Sequence, residues 1–167
     1  MDIFRLSKIA FVAAIGFFAS MTVWGNIDDY QSRFSLARHV LFMESTFPVA
    51  EMVHRAIEVP IWNHVFYVSI IAAEALVAAT CWFGAFKMLR HVGAAKQNFN
   101  ESKQWAVGGL ALGFIVWQIK IITSARESFG MQIHKSWNEM DLEFLFCVTT
   151  IAVLIFVSMA DEERDPW

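Results

Sequence analysis

Apolar and polar positions alternate along this chain in long blocks rather than at the period of a strand or a half-buried helix. A helix needs about 20 mostly apolar residues to cross a bilayer. Four stretches meet that length: LSKIAFVAAIGFFASMTVWG (6–25), residues 64–88, WAVGGLALGFIVWQIKIITS (105–124) and LEFLFCVTTIAVLIFVSMA (142–160). Between the first two, the pattern changes. DDYQSRFSLARHVLFME starts at an Asp suited to cap a helix and reads as one helix. In PVAEMVHRAIE, Val49, Met52, Val53, Ala56 and Ile57 recur at the helical period behind Pro48, which suits a first helical position. Pro60 ends that segment and can open the second long helix. The expectation is an all-α fold: a four-transmembrane-helix bundle forming one domain over 1–167, with a short helical extracytoplasmic cap over 26–63.

Composition supports a membrane setting. Hydrophobic residues make up 57% of the chain and charged residues 17%, against roughly 45–50% and about 25% in soluble domains. The formal net charge of −3 and the lack of any basic patch give nucleic acid no footing. Lys and Arg set the orientation. Arg5 and Lys8 stand at the N-terminus, and Lys87, Arg90, Lys96 and Lys103 stand against Glu101 in the link before the third span. Both termini are therefore expected in the cytoplasm. Trp24, Trp62 and Trp137 would mark the outer interface, and Trp82 and Trp105 the inner one. Arg5 and Lys8 with Val23 and Gly25 also fit a signal peptide, but the segment is read as a retained helix.

Glu74 lies near the middle of the second span. On a helix, His64, Tyr67, Ile71, Glu74, Ala78, Cys81 and Ala85 share an arc of about 100°, while Phe66, Ile70, Val77 and Phe83 mostly lie elsewhere. Ionisable groups within spans usually face other helices, so this seam should point inward. Ala106, Gly109, Gly113, Lys120 and Ser124 share a face of the third span, with Trp117 at its edge. Gly109 and Gly113 form a GxxxG that permits close helix approach. Glu74 sits about 15 Å below the outer boundary and Lys120 roughly 8 Å, a gap that a lysine stem covers. A Glu74–Lys120 contact is predicted, as a clamp between helices, a ligand hydrogen bond or part of a proton path. The clamp is favoured because serial carboxylates are missing. Cys81 and Cys147 fall at different depths, beyond the ~7 Å reach of a disulfide, and should be free thiols.

The outer segments hold His39, His54, His64 and His134 near Met43, Glu44, Glu51, Glu58 and Met131. Glu51 and His54 form one Glu-x-x-His, whereas di-iron bundles use two with two further acids. Pairing of Glu51 with Arg55 and His54 with Glu58 explains the same residues as a solvated face, so no metal is assigned. A membrane haem needs axial ligands within the spans, and no such pair is present. No Ser-His-Asp arrangement, Walker loop or HExxH occurs, and the cofactor stays unknown.

The stretches NIDDY (26–30), HVLFMESTF (39–47), Arg55, Pro60, His64, Tyr67, Glu74, CWFGA (81–85), KQWAVGGLALG (103–113), Trp117 and SWN (136–138) together resemble a family of bacterial small integral membrane proteins of uncharacterised function. The likeness covers most of the chain and implies four spans; the expected location is a bacterial inner membrane. The family pattern has aspartate where Glu44 stands and tryptophan where His54 stands, so it lends His54 no role. Its motif residues gather on the outer cap and the inward seams. A candidate ligand site is therefore placed at His39, Glu44, Arg55, His64, Tyr67 and Glu74, with Trp117 and Lys120 lining it from the third span. No catalytic constellation is present. The leading expectation is a non-enzymatic accessory or assembly partner of a larger membrane complex, with Gln118, opposite Lys120, facing a partner helix. The alternative is a quinone-, lipid- or haem-binding module with its site in the outer-leaflet half. A small transporter is weaker, because four helices in one copy leave little room for a pore and it would need a homo-oligomer; membrane lipid is the other expected partner.

Overall fold

The computed structural model describes residues 2–32, 34–35, 60–124 and 140–161, and these contain helices and no strand. Helix α1 spans Ile3–Asp28, α2 Pro60–Arg90, α3 Lys96–Ser102, α4 Gln104–Ser124 and α5 Met140–Ser158. The four long helices coincide with the four apolar runs, and α1 and α2 outgrow theirs at both ends. Asp2 caps α1, its side chain accepting from the Phe4 N–H at 3.0 Å. Pro60 opens α2, where its missing N–H costs no helical hydrogen bond. Residues 30–32 and 34–35 are helical, as the Asp-capped segment predicts. The rest of that segment and the helix expected over PVAEMVHRAIE lie outside the described residues.

Among the described residues, two helical stretches, Ile3–Asp28 and His64–Arg90, are long and apolar enough to cross a membrane, and Phe144–Ser158 is a shorter apolar helix. Phe17, Leu76, Ile115, Phe144 and Ile155 all point outward and exposed, an apolar surface that soluble monomers rarely present.

Helix α1 packs along α2, α2 along α4 and α4 along α5, and α5 returns to α1 through a smaller contact. The directions alternate. Lys8 near the start of α1 meets Asp161 beyond the end of α5, whereas Asn26 near the end of α1 meets Glu74 of α2. Missing side chains set the α2–α4 approach. A Cβ on Gly84 would stand 2.6 Å from the Cα of Ala106, and one on Gly109 would stand 2.8 Å from Thr80 Oγ1. The GxxxG face predicted on α4 therefore does meet α2, and Gly84 answers it from the other side. Val77 departs from expectation. It is fully buried because α2 lies between two neighbours and hides a wider stripe than the polar arc alone.

Gln118 also departs. Rather than awaiting a partner, its Oε1 accepts from Cys147 Sγ of α5 at 3.3 Å. Both cysteines are free and buried, as their depths predict. Trp82, expected to mark a boundary, donates its indole N–H to Ser20 Oγ of α1 at 3.1 Å.

The link before α4 carries a short helix that periodicity did not reveal. Helix α3 has one buried apolar anchor, Phe99. The Arg5 guanidinium stands 4.7 Å and the Lys103 ammonium 5.3 Å from its ring centre. Arg5 also donates to the carbonyls of Val92 and Ala94 at 3.0 and 2.8 Å, closing the end of α2. Nearby, Asp161 accepts from Lys8 at 3.0 Å and from Lys103. Both lysines also donate to the Met159 carbonyl, at 2.7 and 3.0 Å. Burial raises the Asp161 pKa, but the two ammoniums outweigh it and hold the carboxyl below its ordinary value. At Lys103, burial and the neighbouring Lys8 charge outweigh Asp161 and lower the pKa.

Candidate functional site

Three helices converge on Glu74. Its side chain is 0% exposed, and that of Lys120 is 20% exposed. Lys120 Nζ donates to Glu74 Oε1 at 3.1 Å, the contact predicted from the two helix faces. Asn26 Nδ2 of α1 donates to Oε2 at 2.7 Å. Each carboxylate oxygen thus has a donor from a different helix, and the acid ties α2 to both neighbours. Tyr67, about two turns before Glu74, is buried. Its hydroxyl reaches the Asn26 carbonyl at 3.4 Å and Asn26 Oδ1 at 3.5 Å.

Toward the start of α2, an aromatic group stands beside this node. Tyr30 OH lies 3.1 Å from His64 Nδ1. The Phe34 and His64 rings stack with centres 4.0 Å apart and planes 12° apart. Tyr30 meets Tyr67 edge-on at 5.2 Å. His64 itself is exposed, so the group runs from the surface to the buried node. Trp117 is 1% exposed. It packs against Phe18 with ring centres 5.7 Å apart, beneath Gly113, as part of the core.

Of the sequence-predicted site residues, Tyr67, Glu74 and Lys120 come together, and His64 sits above them. His39, Glu44 and Arg55 lie outside the described residues, as do His54 and His134. Asn26, Tyr30 and Phe34 complete the arrangement and were not predicted. Asn26 and Tyr30 stand in NIDDY, just past the apolar run, where α1 carries on for a further turn. A buried carboxylate has two acceptor oxygens to satisfy, and the second of these is the available signal for Asn26.

This geometry allows limited chemistry. An asparagine amide does not relay protons at neutral pH, so the Asn26 side offers no relay. The node holds charge and hydrogen bonds between helices. Its aromatic neighbours offer a stacking surface with one imidazole.

A family model described as predicted small integral membrane protein (DUF2165) matches residues 4–160. No curated protein and no solved structure matches the chain.

Proposed function

From the premise that the chain belongs to the family of predicted small integral membrane proteins, we propose that it is a four-span protein of the bacterial inner membrane with both termini in the cytoplasm. It works without chemistry of its own, as an accessory or assembly partner of a larger membrane complex. Helices α4 and α5 have 21 and 19 residues, which at 1.5 Å per residue gives about 32 and 29 Å. Both come close to the ~30 Å hydrocarbon core. The packing of α4 along α2 and of α5 along α4 supports treating all four as spans. The basic residues Arg5, Lys8 and Lys103 meet at one end of the helices, in keeping with the positive-inside rule.

The observation that carries the non-catalytic reading is the state of Glu74. Both of its oxygens are engaged by the protein's own helices, so the acid serves as a clamp. With Gln118 bonded to Cys147, a partner would be met through the exposed apolar faces instead. Affinity purification in a mild detergent tests this reading. A second protein at fixed stoichiometry is expected, and a chain that always purifies alone would overturn it.

One observation favours a second reading, a module that binds a quinone, lipid or haem. The aromatic group of Tyr30, Phe34, His64 and Tyr67 adjoins a charged node. Such a module would hold a flat or amphipathic ligand against His64, and Phe34→Ala would release it.

A further inference from the structure

On the flank where α2, α3 and α4 meet, two cavities adjoin. One, of about 290 Å³, is lined by Thr80, Gln104, Trp105, Gly108 and Gly109. The other, of about 330 Å³, is lined by Lys87, His91, Asn98, Glu101, Ser102 and Gln104. Small-molecule sites run from about 300 to 1,000 Å³, and the two cavities stand at the lower end of that range. They share Gln104. Lys87 also bridges them, its ammonium 5.2 Å from the Phe83 ring centre and 5.8 Å from that of Trp105. Those two rings meet edge-on at 5.1 Å. The first cavity is a groove between helix backbones, open because Gly108 has no side chain and nothing lies within 4 Å of where a Cβ would stand. The second is a polar cup at the end of α2, walled by α3.

The charges in the cup are specific. Lys87 has no ion-pair partner among the described residues. His91 Nδ1 must donate to the Lys87 carbonyl at 2.9 Å, since a carbonyl can only accept, and this leaves Nε2 for another group. Across the cup, Glu101 accepts from Gln97 Nε2 at 3.0 Å through one oxygen. The cup thus holds a cation and a carboxylate in one lining, and it borders the apolar groove at Gln104. A single anion would meet Lys87 but be repelled by Glu101. A headgroup with a phosphate and a primary ammonium satisfies both.

We infer that this flank is a binding site for a zwitterionic, amine-bearing phospholipid of the phosphatidylethanolamine type. Its phosphate lies at Lys87, its ammonium at Glu101 and an acyl chain along Gly108 and Gly109. The site is separate from the Glu74 node, and the inference stands whether or not the accessory reading holds.

Native mass spectrometry of the full chain, with phosphatidylethanolamine, phosphatidylcholine and phosphatidylglycerol supplied at equal concentration, tests it. The wild type should retain phosphatidylethanolamine over both others, because phosphatidylcholine has no ammonium N–H to give Glu101 and phosphatidylglycerol has no cation. Lys87→Gln should lower that adduct about tenfold, the equivalent of about 1.4 kcal/mol, and Lys87→Arg should retain it. Glu101→Gln should shift the preference to phosphatidylglycerol. Gly108→Phe, whose Cβ meets nothing within 4 Å, should remove the adduct with little change in the melting temperature. Equal retention of the three lipids, a wild-type preference for phosphatidylglycerol, or indifference of the adduct to Lys87→Gln and Gly108→Phe would overturn the inference.

Discussion

Replacing Glu74 and Lys120, singly and together, measures how firmly the node holds the helices. In Glu74→Gln, the new side chain can still accept from Asn26 through Oε1, but its amide turns toward the Lys120 ammonium. The charge-assisted bond at 3.1 Å is lost, and such bonds contribute about 1.5–3 kcal/mol. In Lys120→Met, the carboxylate stays fully buried with Asn26 alone. Breaking a buried ion pair from one side costs about 3–5 kcal/mol in soluble proteins. Lys120 is 20% exposed, so water already shares in solvating it and the low end applies. Hydrogen bonds between membrane helices couple by about 0.6 kcal/mol on average and at most about 1.7. A charged pair should reach the top of that range. The expected coupling is about 1–2 kcal/mol, with the double variant more stable than the sum of the single losses implies. Unfolding in mixed micelles with increasing sodium dodecyl sulfate, followed by circular dichroism, gives the four stabilities. Additivity within about 0.3–0.5 kcal/mol would refute the clamp.

Other outcomes follow from particular contacts. Gly84→Ala places a methyl against the Ala106 backbone and should cost about 1–3 kcal/mol as overpacking. Gly108→Ala meets nothing and should be neutral or stabilising by up to about 1 kcal/mol through helix propensity; the same unfolding assay compares them. Asp161 has a folded pKa below its ordinary 3.8. Its contribution is therefore complete above that value and is lost as pH falls below it toward the folded pKa. Thermal melts from pH 6 to about pH 2 should show this loss, and Asp161→Asn should flatten it. Without a reductant the protein should stay free of any Cys81–Cys147 disulfide, and a non-reducing gel of the oxidised chain checks this.

The long helices were legible because a bilayer imposes a length on apolar runs, and the Glu74–Lys120 pair because two charges at compatible depths on two inward faces have few alternatives. Asn26 was missed for a related reason. Hydropathy marks where apolar residues stop, but α1 goes on to Asp28, and its last turn is held by polar contacts that hydropathy does not register. Val77 was misplaced because a polar arc identifies one neighbour, while α2 has two. Helix α3 has seven residues and a single buried apolar anchor, too few for a period to show. Gln118 was read as facing outside the protein, although a polar residue opposite Lys120 is equally served by α5 within the same chain.

Whether Glu74 serves structure or a ligand is open to one comparison, the native mass spectra of gently extracted wild type and Glu74→Gln. A clamp in an accessory protein predicts a second polypeptide bound to the wild type, and no small-molecule adduct whose occupancy depends on residue 74. A quinone, lipid or haem present at one copy in the wild type and absent from Glu74→Gln would contradict it and make the node a binding site.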